Sequence, residues 1–376
     1  MLTIRPTRVE IDLDAIAHNL RVVREAASGR KLCCVIKADG YGHGGVPIAK
    51  TLARSGVDWL AVALIEEGVE LRAAGVTVPI LVLGGALEGG YRALFEHQLT
   101  PVIFHDAHLR GLARAAGGRQ IAVHLKVDTG MARLGVSLTE LGALLTRIKN
   151  EPAVRLDGVM THFANADEQD IETNQRQTDL FRSALQKIRS TGFTPAHVHA
   201  SNSAATQTFD DELGTMVRPG LMLFGVEPIR SDSSTLQPVL KWVTSPVQVK
   251  SIPAGTAVSY GGRWVAKRQS TIATLPVGYA DGYPRALSNR ADVLVNGARA
   301  PVVGSVCMDM CMVDVTDCGP VSVGDEVVLL GAQGPDVIDA DELADHAETL
   351  AYEILTGVQK RVPRVYRGAL AGEVAA

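Results

Sequence analysis

The sequence predicts an α/β fold, with an N-terminal (β/α)8 barrel and a C-terminal, mostly antiparallel β domain. Up to about residue 230, eight short apolar runs rich in β-branched residues alternate with longer amphipathic stretches. Beyond about residue 235, strand-like runs follow one another with few helical stretches between them. The length of 376 residues also exceeds the size at which a single hydrophobic core usually stops growing. These three observations together predict two domains.

The predicted barrel has strand candidates at residues 31–36, 58–63, 79–83, 101–104, 121–127, 156–161, 196–200 and 215–219. Apolar residues recur three and four positions apart most clearly at 14–27, 66–74, 137–149 and 172–190, which predicts helices there. Crossovers of this length require parallel pairing, and eight strand–helix repeats favour a closed, TIM-like barrel over an open sheet. No G-x-G-x-x-G motif opens a helix after the first strand, which disfavours a dinucleotide-binding unit.

A polar segment at 227–235 is the predicted linker, because it is rich in turn formers and separates the two patterns. It divides the chain into domains of 1–234 and 235–376, although the first few residues are free to pair with the second domain. The strand candidates of the second domain lie at 238–251, 256–259, 270–277, 291–295, 299–305, 311–315 and 325–330. Asn296-Gly297 predicts a tight hairpin between two of them. One amphipathic helix is predicted at about 340–356.

Composition and charge exclude several classes of protein. The formal net charge of -4 gives no electrostatic footprint for nucleic acid, and no apolar segment is long enough to span a bilayer. The N-terminal segment lacks the apolar region and small-residue cleavage site of a secretory signal. The five cysteines form neither a convincing disulfide framework nor a zinc-ligand spacing, so we expect them to be reduced. We therefore expect a cytoplasmic protein that binds no metal, membrane or nucleic acid.

The segment CVIKADGYGHG is the first candidate for a functional site. Lys37 follows an apolar strand, and because burying a lone ammonium is costly, its side chain is expected at the exposed end of that strand. A glycine-rich loop with Tyr41 and His43 comes next. Parallel α/β folds have their active sites at the carboxyl ends of strands. Taken alone, however, a lysine extending from a strand end beside an ordinary loop explains the segment at least as well.

Other strand ends supply polar groups to the same end of the barrel, namely Lys126 with Asp128, His162, Ser201-Asn202-Ser203, and Arg218 with Gly220. Two lysines, a histidine and an arginine at strand ends are hard to explain by stability alone. The small residues after the seventh and eighth strands are typical of a barrel phosphate site, built from loop amides and a short helix. A strand-end lysine facing such a site suggests a Schiff base with pyridoxal phosphate. The segment that begins at Asn202 is equally compatible with a plain helix cap.

A series of motifs extends over almost the whole chain: CVIKADGYGHG, LKVDTGMARLG, MTHFA, HASNSAA, VRPGLMLFG, VSYGG, LPVGYADGYPR, GSVCMDM, VGDEVVLLG and RVPR. Several are weak individually, but their order and spacing are highly specific. Together they resemble the alanine racemase family of fold-type III enzymes. The resemblance implies an N-terminal barrel that binds pyridoxal 5'-phosphate (PLP), a C-terminal β domain, and a head-to-tail homodimer with active sites at the interface.

The resemblance also implies a pair of acid/base residues. Lys37 would carry PLP and act on one face of the substrate, and Tyr260 of the partner subunit would act on the other. Racemisation requires such a pair independently, because a proton leaves one face of Cα and returns to the opposite face. A phenol titrates near pH ~10, so it needs nearby positive charge or hydrogen bonds to serve as a base. His162 and Arg218 match the residues that link toward this tyrosine.

Arg218 also matches the residue that binds the pyridine nitrogen. Since a guanidinium can only donate hydrogen bonds, it would keep that nitrogen unprotonated and limit side transamination. The implied cofactor-binding residues are Lys37, Tyr41, His162, Asn202, Ser203, Arg218, Gly220 and Leu221. Lys360 stands where some members have a tyrosine that reaches the phosphate, which puts a direct bond from this position in doubt.

The remaining matches concern the substrate and the entrance to the site. Arg133 and the backbone of Met308 would contact the substrate carboxylate, and a carbamylated Lys126 would neutralise Arg133. The alternative for Lys126 is a free ammonium near Asp128. The implied entrance-gate residues are Tyr279, Asp281, Tyr283 and Arg285. Tyrosines in such a loop are equally compatible with interface packing.

We therefore predict a cytoplasmic alanine racemase that interconverts L- and D-alanine and supplies D-alanine for peptidoglycan. A broad-specificity racemase on the same fold is one alternative, but such enzymes tend to be secreted. A fold-type III decarboxylase is disfavoured because it would have an acidic residue in place of Arg218. A PLP-carrier protein is disfavoured because it would lack the domain that contains Tyr260. The sequence does not decide between a biosynthetic and a catabolic role, or between alanine and serine as preferred substrate.

Overall fold

The computed structural model describes residues 4–168, 170–208, 214–229 and 235–374. Most of the predicted linker, residues 230–234, lies outside the described residues. The chain forms two compact units, which we call the barrel unit and the β unit. The barrel unit comprises Ile16–Gly40 and Gly45–Leu236, and the β unit comprises Met1–Ala15, Tyr41–Gly44 and Gln237–Ala376.

In chain order, the strands are β1 (Arg8–Asp12), β2 (Lys31–Val35), β3 (Trp59–Val62), β4 (Ile80–Val82), β5 (Thr100–Ile103), β6 (Ile121–Lys126), β7 (Val154–Met160), β8 (His197–His199), β9 (Met216–Val217), β10 (Leu240–Thr244), β11 (Gln248–Ile252), β12 (Ala257–Val258), β13 (Trp264–Val265), β14 (Ser270–Leu275), β15 (Asp292–Val295), β16 (Ala298–Pro301), β17 (Cys311–Asp314), β18 (Val327–Gln333), β19 (Asp336–Ile338) and β20 (Arg364–Arg367). The α-helices span Leu13–Ala26, Gly45–Arg54, Ile65–Ala73, Tyr91–Glu96, Asp106–Ala116, Leu141–Lys149, Ile171–Ser190, Ser203–Thr208, Ala340–Ala347, Ala351–Gly357 and Ala371–Val374. Short 3-10 helices span Leu221–Phe224, Tyr260–Gly262, Tyr279–Asp281 and Arg285–Leu287.

The barrel unit contains one parallel sheet in the order β8-β7-β6-β5-β4-β3-β2-β9. The amide of Thr215, just before β9, donates to the carbonyl of Val198 in β8 at 2.8 Å, so the barrel is nearly closed. Each strand lies within two residues of its predicted bounds at both ends. The prediction of a (β/α)8 barrel is therefore confirmed. Its strands consist mainly of fully buried apolar residues, as expected for a parallel sheet that is covered by helices.

The helices of the barrel unit agree with the predicted stretches except at one N-terminus. The helix predicted from residue 137 begins only at Leu141. Ser137 is the reason, because its hydroxyl accepts the amide of Glu140 at 3.2 Å and forms a turn in place of the first helical turn. The helix Ile171–Ser190 begins where the side chain of Asp170 accepts the amide of Thr173.

The β unit is mostly antiparallel, as the sequence predicts. Its largest sheet has the strand order β16-β15-β18-β10-β1-β20, with β19 paired to β18, and a second sheet has the order β11-β14-β17. In the largest sheet, β1 pairs antiparallel with β10 and parallel with β20. The single strand predicted at 238–251 is wrong, because β10 and β11 belong to different sheets. Pro246, which has no amide hydrogen to donate, lies between them.

Two further expectations for the β unit have different outcomes. The hairpin at Asn296-Gly297 is confirmed, because β15 and β16 pair across it and both residues have positive φ values, 53° and 76°. The single helix predicted at about 340–356 is wrong. It is divided at Glu348, whose φ of 57° ends the first of two shorter helices.

All five cysteines are free, and within the described residues no helix combines the length and apolar character needed to cross a membrane.

Candidate active site

A left-handed turn follows Lys37 at the end of β2. Ala38, Asp39 and Gly40 have φ values of 54°, 53° and 61°, a region that costs a non-glycine residue about 1–2 kcal/mol. The Asp39 carboxylate accepts the amide of Gly45 at 2.7 Å and thereby closes the loop. The sequence predicted a glycine-rich loop here, but the left-handed conformation of two non-glycine residues is a finding of the structure. The turn determines the direction in which Lys37 leaves the strand.

Lys37 lies among other cationic side chains. Its pKa is lowered, first by burial and then by Arg133, whereas Glu67 acts in the opposite direction. Lys126, at the end of β6, is only 5% exposed. Burial, followed by the charges of Arg218 and Arg133, lowers the pKa of Lys126 to about 8. The structure thus brings the predicted lysines and arginines within electrostatic range of one another and shifts both amines toward the neutral form, which is the form that reacts with carbonyl compounds.

Arg218 is buried at the end of the barrel, and its hydrogen bonds include four to uncharged acceptors. Its Nη1 donates to Nδ1 of His199 at 3.0 Å. Its Nη2 donates to Nδ1 of His162 at 3.1 Å and to the carbonyls of Thr161 and Ala200, both at 2.8 Å. None of these four acceptors is a carboxylate. The guanidinium therefore keeps its positive charge among imidazoles and carbonyls.

The hydrogen bonds of Arg218 determine the tautomers of the surrounding histidines. Because a guanidinium only donates, Nδ1 of both His162 and His199 must accept, and the proton of each neutral ring is on Nε2. His199 Nε2 then donates to Nδ1 of His124 at 2.8 Å. Burial, and next Arg218, lowers the pKa of His162 to about 2, and burial, followed by His197, lowers that of His124 to about 3. These pKa values agree with neutral rings and a fixed direction of donation.

The two loops expected to bind phosphate lie against each other. The hydroxyl of Ser203 accepts the amide of Gly220 at 2.8 Å, so the loops after β8 and β9 meet. Leu221 begins the 3-10 helix that follows Gly220. Asn202 also caps the helix Ser203–Thr208, because its side-chain oxygen accepts the amide of Ala205 at 2.9 Å. The structure therefore shows Asn202 as a helix cap and also shows the two loops in contact.

The loop that contains Arg133 is shaped by Asp128. One carboxylate oxygen of Asp128 accepts the amides of Gly130 and Ala132, at 3.0 and 3.1 Å. Gly135 has a φ of 136°, and a Cβ there would lie 2.5 Å from the amide nitrogen of Asp128. Only glycine therefore fits at this position. Asp128 acts mainly on the loop backbone, and Arg133 is exposed at its tip.

Tyr41 belongs to the short segment Tyr41–Gly44, which is part of the β unit. Its side chain is buried, and burial raises its pKa above the ordinary value. Its ring centroid lies 6.0 Å from that of Tyr352. The hydroxyl of Tyr366 donates to the carbonyl of His43 at 3.2 Å, which ties the segment to β20.

A cavity of about 920 Å³ lies within the β unit, and Tyr260 is part of its lining. Tyr260 is 75% exposed. Ser259 donates to the carbonyl of Ser305 at 2.7 Å, and the Ser305 hydroxyl donates to the carbonyl of Tyr260 at 3.1 Å. These bonds fix the backbone, so a solvent-exposed phenol projects from a rigid turn. Three more residues singled out from the sequence also line the cavity: Tyr279, Arg285 and Met308.

Two of the four expected gate residues require a correction. The carboxylate of Asp281 is fully buried and accepts hydrogen bonds from Arg5 and Arg361, both at 2.7 Å. Tyr283 is also fully buried, with its ring packed edge-on against Trp242 at a centroid distance of 5.9 Å. Neither side chain is available to narrow an entrance, and we assign both to the packing of the β unit. Lys360 is exposed next to Arg361.

The sequence interpretation missed three residues near Lys37 and Arg218. His124 and His199 lie on β6 and β8, and the available signal was the presence of histidines within predicted buried strands. Glu67 was also missed. The available signal was its position near the start of a predicted helix, where a glutamate often binds the backbone of the residue that precedes the helix.

The barrel and its strand-end lysine of lowered pKa are typical of a barrel enzyme that acts through an amine. The family profile "Alanine racemase, N-terminal domain" matches residues 11–228, and "Alanine racemase, C-terminal domain" matches residues 239–366. The alanine racemase of Halothermothrix orenii is 46% identical over 373 residues, which cover 98% of each chain. The chain therefore belongs to the alanine racemase family, a family of isomerases.

Solved structures agree with this assignment. The alanine racemase from Streptomyces lavendulae superimposes with a TM-score of 0.94 at 35% identity and covers 100% of both chains. The alanine racemase from Bartonella henselae, described with covalently bound pyridoxal phosphate, gives a TM-score of 0.88 at 29% identity. That match covers 96% of this chain and 99% of the other.

Proposed function

We propose that this chain is a PLP-dependent enzyme that interconverts L- and D-alanine by a two-base mechanism. Lys37 would act on one face of the substrate and Tyr260 of the partner subunit on the other. Membership of the alanine racemase family supports alanine as the substrate. The observation that carries the mechanism is that Lys37, with its lowered pKa, and Arg218, which donates to imidazoles and carbonyls, both lie within electrostatic range of Lys126 and His162.

The residues at the barrel end fit PLP. The pKa of Lys37 is lowered by burial, which shifts its amine toward the neutral form that an aldehyde requires. Ser203 and Gly220 are small residues on two loops that meet where the phosphate would bind, and Arg218 is a permanent donor for a ring nitrogen. The relative from Bartonella henselae, described with covalently bound pyridoxal phosphate, supports this choice of cofactor. When bound, PLP would withdraw electrons from the amino acid and make its Cα–H bond acidic.

The chain itself would perform the proton transfers. The Lys37 Nζ would accept a proton from one enantiomer or return it to the other, and the Tyr260 Oη would do the same on the opposite face. The Arg218 guanidinium, fixed by four hydrogen bonds, would remain a donor throughout and would not deliver a proton to a ring nitrogen. This arrangement favours proton exchange at Cα over transamination.

A head-to-tail homodimer is part of the proposal. The phenol of Tyr260 is largely exposed and projects from a rigid turn beside a cavity. An exposed catalytic phenol is useful only if another surface covers it, because proton transfer to a substrate requires a site that excludes bulk water. A second copy of this chain would provide that surface. Tyr279 and Arg285, which line the same cavity, would then border the entrance to the partner's site.

Substrate binding would involve Arg133, Met308 and Lys126. Arg133 would bind the alanine carboxylate, and the exposed Met308 would contribute a backbone contact. Because the pKa of Lys126 is lowered to about 8, a substantial share of its amine is neutral slightly above neutral pH. We therefore also propose that the neutral amine of Lys126 adds to carbon dioxide, with release of one proton to solvent. The resulting carbamate would replace a positive charge by a negative one beside Arg133.

The biological role in this proposal is the supply of D-alanine for peptidoglycan in the cytoplasm. The five free cysteines are compatible with a reducing compartment. A substrate panel that includes L-serine and L-lysine tests the alternative of a broad-specificity racemase. Rates with these amino acids equal to the rate with L-alanine would contradict the proposal.

The sharing of sites is tested with a doubly tagged heterodimer of Lys37→Ala and Tyr260→Phe chains. If each site takes Tyr260 from the partner, one site carries both substitutions and the other is intact. The heterodimer should then have about half of the wild-type activity per dimer, although each parent is nearly inactive. If both residues came from the same chain, each site would carry one substitution, and the heterodimer would be as inactive as its parents.

A further inference from the structure

The turn that orients Lys37 is held by a residue from the next strand–helix unit of the barrel. Ala38 and Asp39 both adopt left-handed backbone conformations, which few non-glycine residues maintain without support. The amide of Ala38 donates to Oε1 of Glu67 at 2.5 Å. The residue bonded to Glu67 is therefore the one that immediately follows Lys37.

The second carboxylate oxygen of Glu67 binds the end of the neighbouring strand. Oε2 accepts the amides of Ala63 and Leu64, at 2.8 and 3.0 Å, just after β3. The bond to Leu64 is an ordinary helix N-terminal contact, because Glu67 is the third residue of the helix Ile65–Ala73. Helix capping does not account for the bond to Ala38, because Ala38 belongs to the segment after β2 and not to this helix. One carboxylate thus joins the carboxyl ends of two adjacent strands, β2 and β3, at the position of Lys37.

We propose that Glu67 is a positioning residue for Lys37. Its carboxylate fixes the amide of Ala38, and so the direction in which the lysine leaves β2, and its negative charge partly offsets the neighbouring cations. The inference rests on the proposed role of Lys37 and adds a residue to it. Glu67 acts on the reaction only through Lys37.

The charged and titratable groups that face Lys37 give the expected sign of the charge effect. Arg133 lowers the pKa of Lys37, and Glu67 raises it. Lys37 in turn lowers the pKa of Lys126 and of His162, so both groups are within its electrostatic range. Loss of the Glu67 charge should therefore shift the pKa of Lys37 further down.

The test compares Glu67→Ala, Glu67→Gln and the control Glu66→Gln in the full-length chain. Glu66 is an exposed glutamate on the same helix. Amide hydrogen exchange at Ala38 reports the backbone contact and needs no cofactor. The pH dependence of PLP capture by the cofactor-free chain reports the pKa of Lys37.

Glu67→Ala should speed exchange at Ala38 about fivefold or more, since a lost hydrogen bond weakens local protection. Glu67→Gln loses the charge, so its PLP capture should extend to lower pH. Because both oxygens of Glu67 accept backbone amides, the NH2 group of the glutamine must face one of these donors, and exchange at Ala38 should speed by no more than in Glu67→Ala. Glu66→Gln should behave as the wild type in both measurements. If Glu67→Ala does not fold, Glu67→Gln decides the outcome through its capture profile.

Three results would overturn the inference: wild-type exchange at Ala38 in Glu67→Ala, an unchanged capture profile in Glu67→Gln, or equal effects in Glu66→Gln. Failure of the proposed function is distinguishable. In that case the wild-type chain captures no PLP at Lys37, while exchange at Ala38 still responds to Glu67→Ala.

Discussion

Replacement of the buried carboxylate of Asp281 should destabilise the β unit far more than replacement of a neighbouring exposed one. Asp281 is fully buried and accepts hydrogen bonds from Arg5, from both Nε and Nη2 of Arg361, and from the amide of Gly278. Asp281→Asn keeps one oxygen as an acceptor but turns an NH2 group toward guanidinium donors. The variant therefore loses a charge and gains a contact between donors at a fully buried position.

The magnitude follows from the burial of each partner. Loss of one member of a buried ion pair costs about 3–5 kcal/mol. Here the side chains of Arg5 and Arg361 are 29% and 41% exposed, so both recover part of their hydration. We expect Asp281→Asn to lower the free energy of unfolding by about 2–4 kcal/mol. Asp309→Asn is a matched control, because Asp309 binds the same Arg361 at 2.6 Å but is 56% exposed, and its loss should cost less than about 1 kcal/mol.

The difference in unfolding free energy between the wild type and Asp281→Asn should depend on pH with a definite sign. Burial alone would raise the pKa of Asp281, but the hydrogen bonds from Arg361 and Arg5 outweigh burial and lower it. A carboxylate with a lowered pKa contributes its stability above the pKa of an unfolded aspartate, about 3.9, and loses it as the pH falls toward the folded pKa. The gap between the wild type and Asp281→Asn should thus stay constant from neutral pH to about pH 5 and narrow below about pH 4.

Urea unfolding, followed by circular dichroism at several pH values, measures both effects. The expected order of unfolding midpoints at neutral pH is wild type, then Asp309→Asn slightly lower, then Asp281→Asn clearly lowest. Two results would refute the assignment of Asp281 to packing. One is an equal urea midpoint for Asp281→Asn and Asp309→Asn, and the other is a difference in unfolding free energy between the wild type and Asp281→Asn that grows on acidification.

Three further predictions concern the site. Lys37→Ala should abolish the visible absorbance of lysine-bound PLP and almost all racemisation, and retained absorbance would remove the cofactor assignment. Arg218→Glu should raise side transamination, measured as pyruvate formed per racemisation, because an acidic partner lets the ring nitrogen become protonated; unchanged pyruvate would contradict this reasoning. Carbon-13 NMR of the folded protein with labelled bicarbonate should find a carbamate on Lys126, at an occupancy that rises with bicarbonate and with pH around the pKa of about 8. An occupancy independent of both would argue against carbamylation.

The fold was predictable where structure follows from local pattern. Short apolar strands separated by long crossovers leave few alternatives to parallel pairing, so the barrel strands agree with the sequence prediction closely. The errors at 238–251 and 340–356 arise at single residues, Pro246 and Glu348, that interrupt an otherwise continuous pattern. The placement of β1 between β10 and β20 depends on pairing between distant parts of the chain, which no periodicity encodes.

The site was predictable to the extent that chemistry follows strand ends. Lys37, Lys126, His162 and Arg218 all follow or end parallel strands, and the structure brings them together at one end of the barrel. The hydrogen-bonded chain from Arg218 through His199 could not be predicted, because it depends on which residues face inward across neighbouring strands. Neighbouring residues of one motif can also differ in burial, which the sequence does not reveal. In GYADGYPR, Asp281 and Tyr283 are buried, and for this reason their interpretation as gate residues was wrong.

The contact between Glu67 and Ala38 illustrates a further limit of the sequence. A glutamate near a helix N-terminus is a familiar capping pattern, and the pattern is complete without any reference to β2. The additional bond exists because β2 and β3 are neighbours in the barrel and because the turn after Lys37 is left-handed. Both conditions belong to the folded chain.

The central claim, racemisation of alanine by Lys37 and a phenol from the opposite face, is tested most directly in heavy water. Purified protein with PLP is incubated with L-alanine or with D-alanine, and the enantiomers and their deuterium at Cα are analysed. The wild type should convert either enantiomer to a mixture of both and introduce deuterium, whereas Tyr260→Phe should impair exchange from one enantiomer much more than from the other. Two results would contradict the two-base account. One is that the wild type forms none of the opposite enantiomer, and the other is that Tyr260→Phe loses deuterium exchange equally from L-alanine and from D-alanine.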